Sequence, residues 1–407
     1  MQIGIDITGI FGAYRTGVPN LYHSLIEGLA ALQPETVNMR FVLIDRSLQE
    51  FHDPSINLPN NFEFRRVGII KHLPTFDTLP RQPWIGKGVQ IWNRGVREVA
   101  RQLTGWHRRV AQTVQDIDIL EGWDAWLRVA PLAKRIIIIT DIIPLITPKS
   151  FTPDGIRNLR HSLTFAKTEA DCVVTISQHA KQTLMATVGI PATKIKVIYP
   201  GIRPVFKPLS DRAMLLSLLS KYHLPDQPYV LSLGYLDPRK NIKGHIQAFE
   251  RLAVRPEFRD LQMVLVGPEN VATRHVLRDV NSSNVRDRIH WTGYVVDADL
   301  PIILGGARAL LYCSFFEGFG YPVLEAMACG VPVVASNVTS IPEISGDAAI
   351  LVNPHNVDEI ANGLYQVLSD DQLHQTLRER GLRHVRQFTQ ENWARGHLQV
   401  YRECYAR

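Results

Sequence analysis

Short runs of aliphatic and β-branched residues recur along the chain, alternating with stretches whose apolar positions fall at helical spacing. In the first half these runs are QIGID from Gln2, RFVLID from Arg40, IDIL from Ile117, RIIIIT from Arg135, CVVTIS from Cys172 and KVIY from Lys196. The second half has YVLSLG from Tyr229, LQMVLVG from Leu261, IHWTG from Ile289, ALLYC from Ala309, VPVVAS from Val331 and AAILV from Ala348. Strands that are apolar almost throughout, separated by amphipathic helices, predict an α/β protein whose parallel sheets are covered on both faces. No internal repeat interrupts this order.

A break falls at YPGIRPVFKPLSD, Tyr199 to Asp211, where three prolines and a glycine follow one strand and precede a new helical pattern. With 407 residues, more than one ordinary domain holds, two are expected. We place an N-terminal domain at 1–202, a second at 203–386, and a last helix at 387–407. That helix carries Trp393, His397, Val400, Tyr401 and Cys404 on one face, with Thr389 as its N-cap, so it must dock, and packing back across the break is expected.

Bulk properties narrow the class. A chain 45% hydrophobic and 21% charged is globular rather than disordered. The start MQIGIDITGI has no basic leader or cleavage site and reads as a first strand. The apolar run Ile136 to Ile146 contains Asp141 and Pro144 and falls short of the ~20 residues that span a bilayer. Cys172, Cys313, Cys329 and Cys404 show no CxxC spacing and are expected to be buried thiols; a cytoplasmic protein is expected. The net charge is +6, with a basic excess over residues 65–109, where Trp84, Trp92 and Trp106 are interleaved. Two readings stand for that stretch: a solvated basic helix, or contact with an anionic membrane or lipid-phosphate surface. No helix-turn-helix or zinc-finger pattern accompanies it, so nucleic acid is not an expected partner.

Three strand-to-helix turns are candidates for chemistry. EGFGYPVLEAMACG sets Glu317 and Glu325 around a turn, Gly318-Phe319-Gly320, where backbone approaches a ligand closely; Pro322 suits a first helical turn, and Gly330 and Pro332 end the helix. An ionised glutamate accepts two neighbouring hydroxyl donors at once, as a sugar or ribose presents. LSLGYLDPRKN places Arg239 and Lys240 after a strand, where paired cations suit a diphosphate. The alternative is two exposed basic residues before a helix capped near Asn241. ITGIFGAYRTG, from Ile7 to Gly17, opens a helix near Val18 and offers the Gly17 amide to a phosphate, or is a plain connector. The dinucleotide fingerprint GxGxxG is absent.

Taken together, the acid pair with seven residues between its members, PRKN after a strand, WTGYV at Trp291 to Val295 and SNVTSIPEISGDAAILVNP resemble the GT4 family of retaining glycosyltransferases, densely from Tyr229 onward. The resemblance implies the GT-B fold, two Rossmann-like domains whose parallel sheets face an interdomain cleft. It implies that Glu317 and the amides of Gly318, Phe319 and Gly320 hold the donor sugar, that Glu325 holds the ribose, and that Arg239 and Lys240 bind the diphosphate. Tyr294 would border the base, and Gly17 would approach the phosphates from the other domain.

Two departures stand out. Gly234-Tyr235 replaces the Gly-Arg of many relatives, and Thr140-Asp141 replaces their His-Asp, leaving Asp141 either a cleft residue or a structural strand-end acid. The implied reaction moves a hexose, mannose first, from GDP-mannose or a UDP-hexose to a hydroxyl of a glycan or lipid-linked acceptor, as in polysaccharide or glycolipid synthesis. No cofactor or metal is expected: Asp297-Ala298-Asp299 reads as helix capping, and the cations take the metal's place. The rivals are a glycoside hydrolase using Glu317 and Glu325 as acid and base, and a catalytically silent sugar-nucleotide-binding protein of a glycan assembly complex.

Overall fold

The computed structural model describes residues 1–7, 18–45, 58–66, 111–269 and 273–406. Gly17 and most of the basic stretch lie outside the described residues. Of that stretch Arg65 is described, and it is committed to ion pairs with Asp116 and Glu63 rather than facing outward.

Seven strands form the first sheet: β1 (Gln2–Asp6), β2 (Arg40–Asp45), β3 (Phe62–Arg66), β4 (Ile119–Gly122), β5 (Lys134–Ile138), β6 (Cys172–Thr175) and β7 (Ile195–Val197), in the order β3-β2-β1-β4-β5-β6-β7. Six form the second: β8 (Tyr229–Leu233), β9 (Gln262–Val266), β10 (Ile289–Trp291), β11 (Ala309–Tyr312), β12 (Val333–Ser336) and β13 (Ala349–Val352), in the order β10-β9-β8-β11-β12-β13. Their pairings are parallel throughout. The central strands β1, β8, β9, β11 and β12 are buried along nearly their whole length, as sheets covered on both faces require.

In each sheet the strand order reverses once, between β1 and β4 and between β8 and β11. Open parallel sheets bind ligands beyond the carboxyl ends of strands at such a reversal. The turns after β8 and β11 carry PRKN and EGFG.

Helices that flank the cleft or brace its walls include α1 (Val18–Ala31), α2 (Gln178–Thr183), α3 (Ile242–Ala253), α4 (Tyr321–Ala328), α5 (Ile341–Ser345) and α6 (Gln390–Tyr405). Thr389 caps α6 by accepting from the Asn392 amide at 3.1 Å. The face carrying Trp393, His397, Val400, Tyr401 and Cys404 is buried, and α6 packs on α1 of the first sheet, the Trp393 indole donating to the Leu21 carbonyl at 3.2 Å. Beneath it the His397 ring meets Glu121, the two side chains fully buried and 2.9 Å apart. The chain crosses back so closely that a Cβ on Gly201 would lie 2.4 Å from the Gln390 nitrogen. All four cysteines are buried.

Candidate active site

The Asp237 carboxylate accepts from the Arg239 amide at 2.8 Å, closing a turn that Pro238 favours. Asn241 then adopts a left-handed conformation, φ 56°. The expected cap at this residue does not form: its side-chain amide donates instead to the Cys313 carbonyl at 3.1 Å and the Pro354 carbonyl at 2.7 Å. These bonds tie the turn after β8 to the chain just beyond β11 and β13. The basic pair is thereby folded inward, where the alternative of exposed side chains required it to face solvent.

Lys240 is buried, its ammonium donating to the Tyr312 hydroxyl and to Glu317 Oε1, each at 2.7 Å. Arg239 reaches Glu317 Oε2 at 3.0 Å and the Phe316 carbonyl at 2.5 Å. Its Nε is buried with no acceptor among the described residues. Burial alone would push the Glu317 carboxyl up, but Lys240 and Arg239 more than offset it and hold the pKa at about 2. The same burial lowers the Lys240 pKa, which Glu317 only partly restores. Behind them His245 accepts from the Cys313 amide through Nε2 at 3.0 Å, so its Nδ1 carries the proton facing the Ser232 hydroxyl. Burial and the neighbouring Lys240 charge bring its pKa down to about 3, keeping it neutral.

The glycine turn is held from outside by its carbonyls. The Ser340 hydroxyl donates to the Glu317 and Phe319 carbonyls at 3.1 and 2.7 Å, and Ser177, from the first sheet's half, donates to the Gly318 carbonyl at 2.9 Å. In a planar trans peptide the N–H opposes the C=O. The amides of Gly318, Phe319 and Gly320 therefore point away from these anchors, and none of them finds an acceptor among the described residues. A Cβ on Gly318 would fall 2.7 Å from Asp141 Oδ2, so a side chain there would collide with the facing half.

Asp141 accepts from the Ile143 amide at 2.8 Å, and burial raises its pKa. It lines the cleft, so of the two readings of this residue the cleft position is the one observed, with a turn-forming bond in addition. Thr140 lines it too.

One turn into α4, Glu325 is half-buried, and that burial raises its pKa to about 7, Arg203 lowering it and Asp297 raising it further. Arg203 pairs with Asp297 at 2.6 Å, and the Tyr294 hydroxyl donates to the other Asp297 oxygen at 3.2 Å. The capping expected of Asp297 and Asp299 is not what they do. Asp299 precedes a helix without capping it and instead takes the Lys221 ammonium and the Tyr222 hydroxyl, 2.6 and 2.8 Å away.

Together these residues line a cavity of about 400 Å³ between the two sheets, within the ~300–1,000 Å³ usual for ligand sites. Asp141, Arg239, Lys240, Tyr294, Glu317, Gly318, Phe319, Gly320 and Glu325 all border it. Gly17 is the one expected site residue outside the described chain. Sequence reading passed over Tyr312, Ser177, Arg203 and His245. Arg203 stood in what read as a linker, and Tyr312 and Ser177 stood at the polar ends of apolar strands, the one signal that marked them.

Comparison with known proteins agrees with this fold. The family described as glycosyl transferases group 1 matches residues 220–384. The chain is 34% identical over 271 residues to O-antigen chain mannosyltransferase B of Escherichia coli, covering 67% of this chain and 71% of that protein. It is 31% identical over 273 residues to the serotype-specific mannosyltransferase WbdA of the same organism, covering 66% of this chain but spanning only 33% of that longer protein. Sucrose-phosphate synthase from Thermosynechococcus elongatus shares the fold over 100% of this chain and 99% of its own, at a TM-score of 0.70 and 20% identity. Anabaena HepE in complex with UDP and glucose does so over 98% and 99%, at 0.68 and 18%. With two parallel sheets facing one cleft, and with this sequence match spanning 71% of a mannosyltransferase, the chain belongs to the glycosyl transferases group 1 family and is a glycosyltransferase of the GT-B fold.

Proposed function

We propose that the protein transfers mannose from a nucleoside diphosphate sugar, GDP-mannose first and a UDP-hexose second, to a hydroxyl of a growing polysaccharide, with retention at the anomeric carbon. The observation that carries this reading is the buried cluster of Lys240, Arg239 and Glu317 at the strand-order reversal, opposite Asp141 across the cavity. The names of the similar mannosyltransferases support the choice of sugar, and an acceptor that is a glycan or lipid-linked glycan is consistent with them.

In this reading the diphosphate lies against the Arg239 guanidinium and the Lys240 ammonium. The glycosidic C1–O bond breaks as the acceptor oxygen bonds to C1 from the same face, and the acceptor's proton passes to the departing phosphate oxygen. Fixed cations stabilise the charge that develops there, and their burial makes each charge count for more. The Gly318, Phe319 and Gly320 amides and Glu317 orient the hexose, Glu325 takes the ribose hydroxyls, and Tyr294 borders the base. Asp141 meets the sugar or the incoming hydroxyl from the other side.

Thermal unfolding in the presence of GDP, UDP, GDP-mannose and UDP-glucose tests the donor. A ligand at ~100 times its dissociation constant adds about 2.7 kcal/mol to the native state. Stabilisation by the guanosine compounds, followed by mannose transfer to an oligosaccharide acceptor, is expected. Stabilisation by uridine compounds alone would overturn the choice of base, and binding without turnover on any acceptor would favour a silent sugar-nucleotide-binding protein.

A further inference from the structure

The segment SNVTSIPEISG carries a glutamate that the proposed transfer chemistry leaves unused. Glu343 lies in the first turn of α5, on the second sheet's half. Its carboxylate crosses the cleft to the first sheet's half, where Oε1 accepts from the Gln178 amide at 2.7 Å and from the Tyr199 hydroxyl at 2.7 Å. Oε2 accepts from the His179 amide at 3.2 Å. Three donors from the opposite half thus converge on one carboxylate. Beside them the His179 and Phe316 rings meet edge to face, 5.5 Å apart.

The position of this contact matters more than its strength. Ser340, one residue before α5, holds the Glu317 and Phe319 carbonyls. Ser177, one residue before α2, holds the Gly318 carbonyl between them and also accepts from the Ala180 amide at 3.0 Å. Glu343 therefore joins the two short helices whose leading serines grip the three consecutive carbonyls of the glycine turn. Among the described residues, two of those carbonyls are held from within the second half, and the third only from across the cleft. Parting of the halves would take Ser177 from the Gly318 carbonyl and leave the peptide joining Gly318 to Phe319 free to turn, carrying the Phe319 N–H with it.

We propose that Ser177 and Glu343 form an interdomain clasp that couples closure of the cleft to the orientation of the Phe319 amide, so that the donor sugar is gripped productively only in the closed protein. Both are positioning residues: they act on the glycine turn and touch no reacting atom. The proposal rests on the proposed transfer reaction, but the clasp itself is measurable without a donor.

Hydrogen–deuterium exchange of the full chain reads the clasp directly. In Glu343→Gln the carboxylate loses one of its two accepting oxygens, and the amides of Gln178 and His179 are expected to exchange about tenfold faster, with the small-angle scattering radius of gyration increased. Protection unchanged in Glu343→Gln would overturn the clasp whatever the donor proves to be. Its coupling to catalysis is read in steady-state kinetics: Ser177→Ala and Glu343→Gln are expected to lower kcat about tenfold while the calorimetric affinity for the nucleoside diphosphate stays within about twofold of the parent's. Parallel loss of nucleotide affinity, or an unchanged kcat in both variants, would overturn the coupling. Ser177→Thr keeps the hydroxyl and is expected to restore kcat; failure of that rescue also counts against it. Should Glu343→Gln fold poorly, Tyr199→Phe removes a single hydroxyl from the same carboxylate and carries the exchange test.

Discussion

Glu325 and Glu317 sit eight positions apart in one segment, yet their surroundings drive their ionisation in opposite directions. Glu317 is held at about 2 by two buried cations that outweigh its burial, whereas Glu325, whose nearest cation is already committed to Asp297, rises to about 7. At neutral pH a share of Glu325 is therefore protonated in the empty protein. Ribose hydroxyls donate to the ionised form and so favour it. Nucleotide binding should release a proton near pH 7, and affinity should rise from pH 6 to pH 8. Calorimetry in buffers of different ionisation enthalpy measures that proton; binding with no proton release and no pH dependence would contradict the assignment of Glu325 to the ribose. The same shift has a stability sign. A folded pKa above the unfolded value favours folding while the group is protonated, and that stability is lost as pH rises through about 7. Glu325→Gln should therefore be more stable than the parent at pH 8 by about 1–3 kcal/mol while binding nucleotide more weakly, a trade seen in a rise of Tm with a loss of affinity. A lower Tm at pH 8 would argue against the raised pKa.

Among the elements, α6 is the strut that returns the chain to the first sheet's half. Its apolar stripe was visible as helical spacing, and the structure buries that face on α1, with the Trp393 indole fully enclosed. Trp393→Ala should cost about 3–5 kcal/mol, read as a fall in the denaturant midpoint; a loss under about 1 kcal/mol would mean that α6 docks only loosely. Periodicity also located most of the strands, because fully buried strands are nearly continuous apolar runs. It passed over β3, where FEFRR at the sheet edge alternates apolar with polar and so lacks the continuous apolar run that marks the other strands. At β4 the run IDIL began two residues before the strand it predicts, since Asp118 lies before the first paired residue. The acid pair and the basic pair were legible because each is a short motif after a strand. Tyr312, Arg203, Ser177 and Glu343 were not, because what gives them a role is a partner more than 70 positions away, and no local pattern encodes such a meeting. Asp299 and Asn241 show the same limit: both stand beside a helix start and read as caps, yet tertiary partners claim their side chains.

On the scale of the whole molecule, the two sheets present their strand-order reversals to a shared cleft, and the chain between them is pinned where Gly201 passes the Gln390 backbone. A side chain at 201 has no room without displacing backbone. Gly201→Ala is expected to cost about 1–3 kcal/mol and to alter the small-angle scattering profile, whereas an unchanged profile and Tm would show that this crossing does not fix how the halves sit. The central claim is that buried, protein-borne cations receive the departing phosphate. The single-turnover rate of mannose transfer, compared between the parent and Lys240→Ala, tests it most directly. Loss of the ammonium should slow the chemical step at least about 100-fold, with the folded state intact by circular dichroism. A folded Lys240→Ala protein that transfers mannose at the parent's rate would contradict the account.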